Sequence, residues 1–236
     1  MKQTRSYPAV TVSSKAERSV LEGHPWIYDT ELTAPEESAA LENGILVDVV
    51  NGKGRYLGTG LLSQRSKIRI RLISRNANDR FDAAFWERRI RYAWDYRRTV
   101  MGSDLDACRV IFGEADQFPG LTVDRFGPVL VTQTLSIGME RLKPVLFPLL
   151  KKVLEEDGQT VRGIYERNDL GLRELEGLGQ GKGWFPLPDC APPEETSVDI
   201  RENGVRYSVD FENGQKTGFF LDQKYNRLAM QRICKG

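Results

Sequence analysis

The run Arg65-Ser66-Lys67-Ile68-Arg69-Ile70-Arg71-Leu72 is a strand that can be buried on one side only. Side chains of an extended chain point alternately to two faces. Ile68, Ile70 and Leu72 then share one face, and Arg65, Lys67, Arg69 and Arg71 share the other. Like charges spaced roughly 7 Å apart along a strand repel one another. A polyanion is therefore one candidate partner for that face. A solvated face, or charges guarding an edge strand, accounts for the same residues.

The segments before it are also short and turn-separated. Ala9-Val10-Thr11-Val12 opens a strand, and an amphipathic piece with Ala16, Val20 and Leu21 follows. Gly44–Val50 is broken by Asn51-Gly52, and Tyr56–Leu62 comes next. Strands of this kind suggest a small barrel. Gly58-Thr59-Gly60 lacks the third glycine of a dinucleotide loop and lies inside a strand pattern, so it reads as a bulge or close packing. Gly52-Lys53 and Gly181-Lys182 are each followed by Gly, so neither makes a phosphate-binding P-loop. His24, the sole histidine, reads as a turn residue between Gly23 and Pro25.

Asn76-Ala77-Asn78-Asp79 reads as a linker, and a helix is expected over residues 82–100 with Phe85, Trp86, Ile90, Ala93, Trp94 and Val100 as its apolar stripe. The stretch from Arg109 to Thr134 reads as three strands, followed by a helix over 139–155 and a strand over 161–166. Pro144 falls in the first turns of that helix, and Pro148 is expected to kink it. Strands, helix, strand is an α+β layer. Glu114, Asp116 and Asp124 can be read as a metal or hydrolytic carboxylate set, or as ordinary residues of a turn rich in Gly, Pro and Asp. Residues 175–183, with the prolines after them, read as loop.

The hairpin 197–211, turned at Asn203-Gly204, is strongly signalled. Asn213-Gly214 turns the chain again, and a helix is expected near Asp222, capped by that residue. Leu221, Tyr225, Leu228, Ala229 and Ile233 fall on one face of it. Such a helix start can hold a polar ligand, or can be an ordinary capped surface helix.

A net charge of +1 gives no global field for nucleic acid, so any basic site is a local patch. No apolar run approaches the roughly 18–20 residues that span a bilayer. Met1-Lys2-Gln3-Thr4-Arg5 lacks the apolar core of a signal peptide. Cys108, Cys190 and Cys234 are odd in number and widely spaced, which argues against a disulfide framework or zinc site and suits a reducing cytoplasm.

Three strings then carry a resemblance. His24-Pro25-Trp26 with the strands around it resembles a PUA domain, a small RNA-binding barrel. Gly113-Glu114-Ala115-Asp116, Pro119-Gly120-Leu121 and Val123-Asp124-Arg125-Phe126-Gly127 resemble the central domain of the PUA-domain rRNA large-subunit (cytosine-5) methyltransferases. The segment from Thr217 to Arg227 resembles the stretch just before their S-adenosylmethionine (SAM) fold. The resemblance implies an α+β chain in three pieces: a PUA-like barrel over 1–75, an α+β central domain over 76–196, and a hairpin plus helix over 197–236. It implies a cytoplasmic SAM-dependent RNA methyltransferase with rRNA as partner. Thr217, Asp222, Gln223 and Arg227 would stand at the cofactor, and Arg65, Lys67, Arg69 and Arg71 on the RNA.

In such chemistry a cysteine thiolate adds to the cytosine ring before methylation. None of the three cysteines has the electropositive setting of a reactive thiolate, Cys108 following the acidic Ser103-Asp104-Leu105-Asp106. No catalytic residue is therefore assigned. The family's methyl-transfer domain is expected to follow Gly236, leaving this chain inactive alone. Phe211, Phe219, Phe220 and Leu228 are then expected to fold back or to self-associate. A stand-alone RNA-binding protein is the alternative, and a metal-dependent hydrolase a third reading.

Overall fold

A computed structural model describes residues 5–188 and 190–234. Met1–Thr4, which bear on the leader reading, and Lys235-Gly236 at the end of the sequence lie outside the described residues.

The first sheet is built from β1 (Ala9–Val12), β2 (Trp26–Tyr28), β3 (Leu46–Asn51), β4 (Tyr56–Leu62) and β5 (Ile68–Ser74). Its order is β1-β3-β4-β5-β2, with β1 parallel to β3 and the other pairs antiparallel. Helices α1 (Ser14–Leu21) and α2 (Pro35–Ala39) interrupt it. The Ser13 hydroxyl accepts the Ala16 N–H at 3.3 Å and caps α1. Ala16 and Val20 of α1 then pack on Val10, Val12, Val47, Val49, Leu62 and Ile70. The expected small barrel is present in part, as a curled half-barrel: among the described residues the edge strands β1 and β2 do not pair, and the bridge from Val12 to Leu32 approaches closure. Gly60 has the close packing expected of it. A Cβ there would lie 2.6 Å from the Arg71 carbonyl oxygen, where the β4–β5 register shifts.

The second sheet has the order β10-β9-β8-β7-β6. It follows α3 (Ala83–Met101), whose N-terminus is capped by Asp82, the carboxylate accepting the Phe85 N–H at 2.9 Å. Strands β6 (Ala107–Phe112), β7 (Leu121–Phe126) and β8 (Val129–Thr134) are antiparallel. Helix α4 (Ile137–Glu156) crosses over to β9 (Gly163–Asn168), which lies parallel to β8. Period-2 alternation sorts the side chains cleanly. Leu130 and Ile164 face α3 and α4, while Val129, Val131 and Tyr165 face the other way. That other face is covered by the hairpin β11 (Ser197–Glu202) and β12 (Val205–Asp210), through Ile200, Val209 and Phe211. The last helix among the described residues is a short α5 (Lys224–Met230).

Several expectations are corrected. Helix α4 is capped by Ser136 and starts at Ile137, earlier than the apolar pattern suggests, which carries Pro144 beyond the first turns; Pro148 lies inside the helix, as expected. Residues 171–176 form a 3-10 turn, and Gly181–Trp184 is strand β10 on the edge of the second sheet, not loop. Its glycines masked a strand signal. Phe211 is fully buried beside Tyr165 and Trp184, at ring-centroid distances of 5.1 and 5.6 Å. The hairpin thus folds back on the second sheet. No described helix is long and apolar enough to cross a membrane.

The two sheets meet through specific contacts. A Cβ on Gly138 would lie 2.7 Å from the Leu61 side chain, so α4 begins hard against β4. The Trp26 indole N–H donates to Glu114 at 2.9 Å, and Arg71 pairs with Glu176 at 2.7 Å.

Candidate functional site

Two places answer to the residues singled out in the sequence. The first is the turn entering β5. Arg65 and Lys67 are both exposed there and form no ion pair among the described residues. The aliphatic stem of Arg65 lies on Gly177, where a Cβ would come within 2.7 Å of its Cδ. The Ser63 and Ser66 hydroxyls fix the turn by accepting the N–H groups of Ser66 and Ile68, each at 3.2 Å. Arg69 is half-buried, and its guanidinium donates to the Ser63 carbonyl at 3.0 Å and to the Gln64 carbonyl. Arg71 is 8% exposed and lies 2.7 Å from the buried Glu176 carboxylate. The expected face of four free cations is therefore two free cations, one turned onto the backbone and one in an internal ion pair. The 3-10 turn 171–176, invisible in the sequence, brings Glu176 over that face.

The second place is the stretch after the hairpin. Asp210 accepts the N–H groups of Glu212 and Asn213 at 3.0 and 2.8 Å, and these bonds hold its carboxyl below the usual range. Arg167 clamps the following loop by donating to the carbonyls of Phe211 and Gly214 at 2.8 and 2.9 Å. Thr217 is fully buried, and its hydroxyl donates to Asp124 at 2.5 Å. Asp124, also fully buried, takes two bonds from Arg109 at 2.8 and 3.0 Å.

Asp222 does not cap α5 as expected. Its exposed carboxylate accepts from Lys216 at 3.0 and 3.1 Å, which pulls its pKa down. Gln223 is exposed and accepts from Asn226 at 2.7 Å. Arg227 donates twice to the buried Glu202, at 2.6 and 2.9 Å, and that partner raises its pKa. Helix α5 is shorter than the apolar stripe suggested: Tyr225 and Ile233 are 65% and 78% exposed. Of the four residues carried by the resemblance, Asp222 and Gln223 fit a polar ligand, being exposed and in contacts water can replace. Thr217 and Arg227 are spent on internal carboxylates.

The carboxylate set does not converge. Asp116 takes two bonds from Arg97, Asp124 is held by Arg109 and Thr217, and Glu114 receives the Trp26 indole. Among the described residues no cluster of His, Cys, Asp and Glu could hold a metal ion. The three carboxylates of the hydrolase reading are thus each taken up by a different donor. Cys108 is fully buried, and burial, more than its acidic neighbours, pushes its pKa up to about 12. Cys190 is half-buried and Cys234 exposed.

Sequence reasoning missed Arg167, Glu176 and Glu202, which hold these segments from strands and turns distant in the chain. Their only signal was charge on strand or turn residues.

Comparison with known proteins follows the same lines. Residues 10–75 match the family of PUA-like domains. Ribosomal RNA large subunit methyltransferase I of Klebsiella pneumoniae is 35% identical over 227 residues, 96% of this chain and 54% of that protein. The protein of the same name from Salmonella paratyphi B is 36% identical over 230 residues, 97% of this chain and 54% of that protein. The chain spans about half the length of the curated relatives it matches. Among solved structures, a protein from Streptococcus mutans assigned as a SAM-dependent methyltransferase superposes with TM-score 0.74 and 20% identity, over 94% of this chain and 54% of that one. Another assigned methyltransferase, complexed with SAH, gives TM-score 0.74 and 21% identity over 93% of this chain and 52% of its own. At that identity the two structures establish the shared fold. Residues 10–75 are thus similar to PUA-like domains, and nearly the whole chain is similar to about half of ribosomal RNA large subunit methyltransferase I.

Proposed function

We propose that the chain is the RNA-binding and central portion of a SAM-dependent rRNA methyltransferase acting on carbon 5 of cytosine. The observation that carries this is the alignment of 96% of the chain with large-subunit rRNA methyltransferase I at 35% identity. The uncovered cations Arg65 and Lys67 at one end of the PUA-like sheet support an RNA contact there, with Arg69 and Arg71 fixing the strand behind them. A cytoplasmic location follows from the same reading.

The three-piece organisation over 1–75, 76–196 and 197–236 belongs to this proposal. A cluster of buried side chains confined to residues 10–72 supports the first piece, although Leu61 and Ile73 of the same sheet pack into the core of the second, and the hairpin's packing on the second sheet ties the third piece to the second. SAM, when bound, would supply the methyl group. Asp222 and Gln223 are the side chains proposed to face it, and Thr217 and Arg227 hold their segment in place through Asp124 and Glu202. The exposed Tyr225, Met230 and Ile233 make the C-terminal helix the proposed place of any self-association.

RNA affinity measured against salt tests the central claim. Reversing Arg65 and Lys67 to Glu is expected to flatten the salt dependence on a large-subunit rRNA hairpin by about 0.9 in slope for each lost phosphate contact. An unchanged slope, with the protein folded, would remove this turn from the RNA interface. A stand-alone RNA-binding role is the second reading, favoured by the internal ties of Thr217 and Arg227. Labelled-methyl transfer to rRNA separates the two.

A further inference from the structure

The arginines of the interior are almost all matched. Arg71, Arg97, Arg109, Arg125, Arg167 and Arg173 each have a carboxylate oxygen between 2.5 and 3.1 Å away. Arg89 on α3 is the exception. Its Nη1 is enclosed and has no hydrogen-bond partner among the described residues. Arg89 is half-buried, and a guanidinium nitrogen removed from water without a partner is costly, since buried charges are ordinarily paired. Burial lowers its pKa, although the group stays charged. The ring of Phe85, one helical turn earlier, lies 4.6 Å from it and holds its plane.

Arg89 lines two clefts that share Asp79 and Gln117. One, about 380 Å³, is walled by Arg88 and Tyr92 of α3; the other, about 540 Å³, is walled by Ser74 and Arg75 at the end of β5. The acidic groups beside Arg89 are turned to other donors. Asp79 accepts from Ser74 at 2.5 Å and Asn76 at 3.1 Å, Glu114 from Trp26 at 2.9 Å, and Asp116 from Arg97 at 2.5 Å. Tyr92 is 63% exposed at the rim, an aromatic face open to solvent beside a cation.

We propose that Arg89 holds a phosphate of single-stranded RNA in the cleft between the first sheet and α3, with an adjacent base stacked on Tyr92. Nη1 itself is closed off, so an oxyanion in the cleft meets the remainder of this half-buried guanidinium, which has no ion pair among the described residues, and a nucleobase matches the exposed ring. The inference rests on the RNA reading but not on the Arg65–Lys67 turn. That turn is at the other end of β5, roughly 20 Å away for a seven-residue strand.

The test uses the full chain, labelled with ¹⁵N-arginine, and oligouridine and inorganic phosphate as probes. Both probes are expected to shift the Arg89 Nε–H resonance. Arg89→Gln is expected to weaken oligouridine binding at least about tenfold, the loss of a charge-assisted hydrogen bond, and to flatten the salt slope by about 0.7. Arg89→Lys should restore the slope but not the affinity, and Tyr92→Ala should weaken binding with the slope kept. Melting temperature checks that each variant is folded, and Arg89→Gln should change it little, since no hydrogen-bond partner is lost and only the Phe85 contact is weakened. RNA binding that is indifferent to Arg89 would overturn this site alone. No RNA binding by the unaltered chain would overturn the RNA reading itself. A poly-glutamate peptide that binds more tightly than oligouridine at the Arg89 resonance would replace the nucleic acid with an acidic protein partner and refute the proposal.

Discussion

Replacing Thr217 with Val separates two roles that the sequence could not tell apart. As a cofactor ligand, the Thr217 hydroxyl would be free in the unliganded chain, and its loss would leave stability unchanged. In the structure it donates to Asp124 at 2.5 Å, with both residues fully buried. A hydrogen bond to a charged acceptor contributes about 1.5–3 kcal/mol. Valine keeps the branched shape but offers no donor, so Asp124 loses one of three bonds and keeps the two from Arg109. We expect a loss of about 2 kcal/mol, in the middle of that range. At about 2–4 °C per kcal/mol for a chain of this size, the melting temperature should fall by about 4–8 °C. Hydrogen exchange should quicken at the loop amides whose bonds depend on this tie, Gly214 N–H to Asp210 and Gly218 N–H to Gln215. A double-mutant cycle with Asp124→Asn should return a coupling of similar size, because the two groups are in contact. Stability within about 0.5 kcal/mol of the unaltered chain, the range of an ordinary surface change, would refute the tie.

Arg71→Gln leaves Glu176 buried beside no cation and is expected to cost about 3–5 kcal/mol in urea unfolding, whereas Lys67→Gln should stay within about 0.5 kcal/mol; equal stability with weakened RNA binding would move Arg71 to the RNA face instead. Cys108 should resist iodoacetamide at pH 8 while Cys234 reacts, as peptide mass spectrometry would show. A folded thiol pKa of about 12 against an ordinary value near 9.0 means that the unfolded state loses its proton first. Stability should therefore be flat below pH 9 and fall from there towards pH 12. Alkylation of Cys108 at the rate of Cys234 would contradict its burial.

Local periodicity carried most of the secondary structure. The helices over Ala83–Met101 and Ile137–Glu156 were legible from apolar stripes, and the hairpin from Asn203-Gly204, where both residues have positive φ as its tight turn requires. What local pattern could not give was pairing at long range. Strand β10 is half glycine, and it is a strand because β9 offers an edge. Asp222 looks like a helix cap, yet Lys216, held at φ +55° in the preceding turn, takes its carboxylate. Barrel closure was equally out of reach, since it depends on whether β1 and β2 meet.

The same limit governs the cations. With 34 Lys and Arg against 33 Asp and Glu, composition says that nearly every charge can be neutralised within the chain, but not which ones are. In the row Arg65, Lys67, Arg69 and Arg71, alternation puts all four on one face, and a single turn carrying Glu176 decides that the deepest of them is structural. On α3 the reverse holds. Arg89 looks like one more solvated arginine in a basic helix, and packing against Phe85 encloses it without supplying an anion. A basic patch on a nearly neutral chain is therefore defined by subtraction: the cations left after internal carboxylates are assigned. Part of that remainder is found at both ends of β5, Arg65 and Lys67 at one and Arg75 and Arg89 at the other. An RNA strand engaging both ends would run along the first sheet, and charge changes at Arg65 and Arg89 should then add in binding free energy, as distant sites on one ligand do.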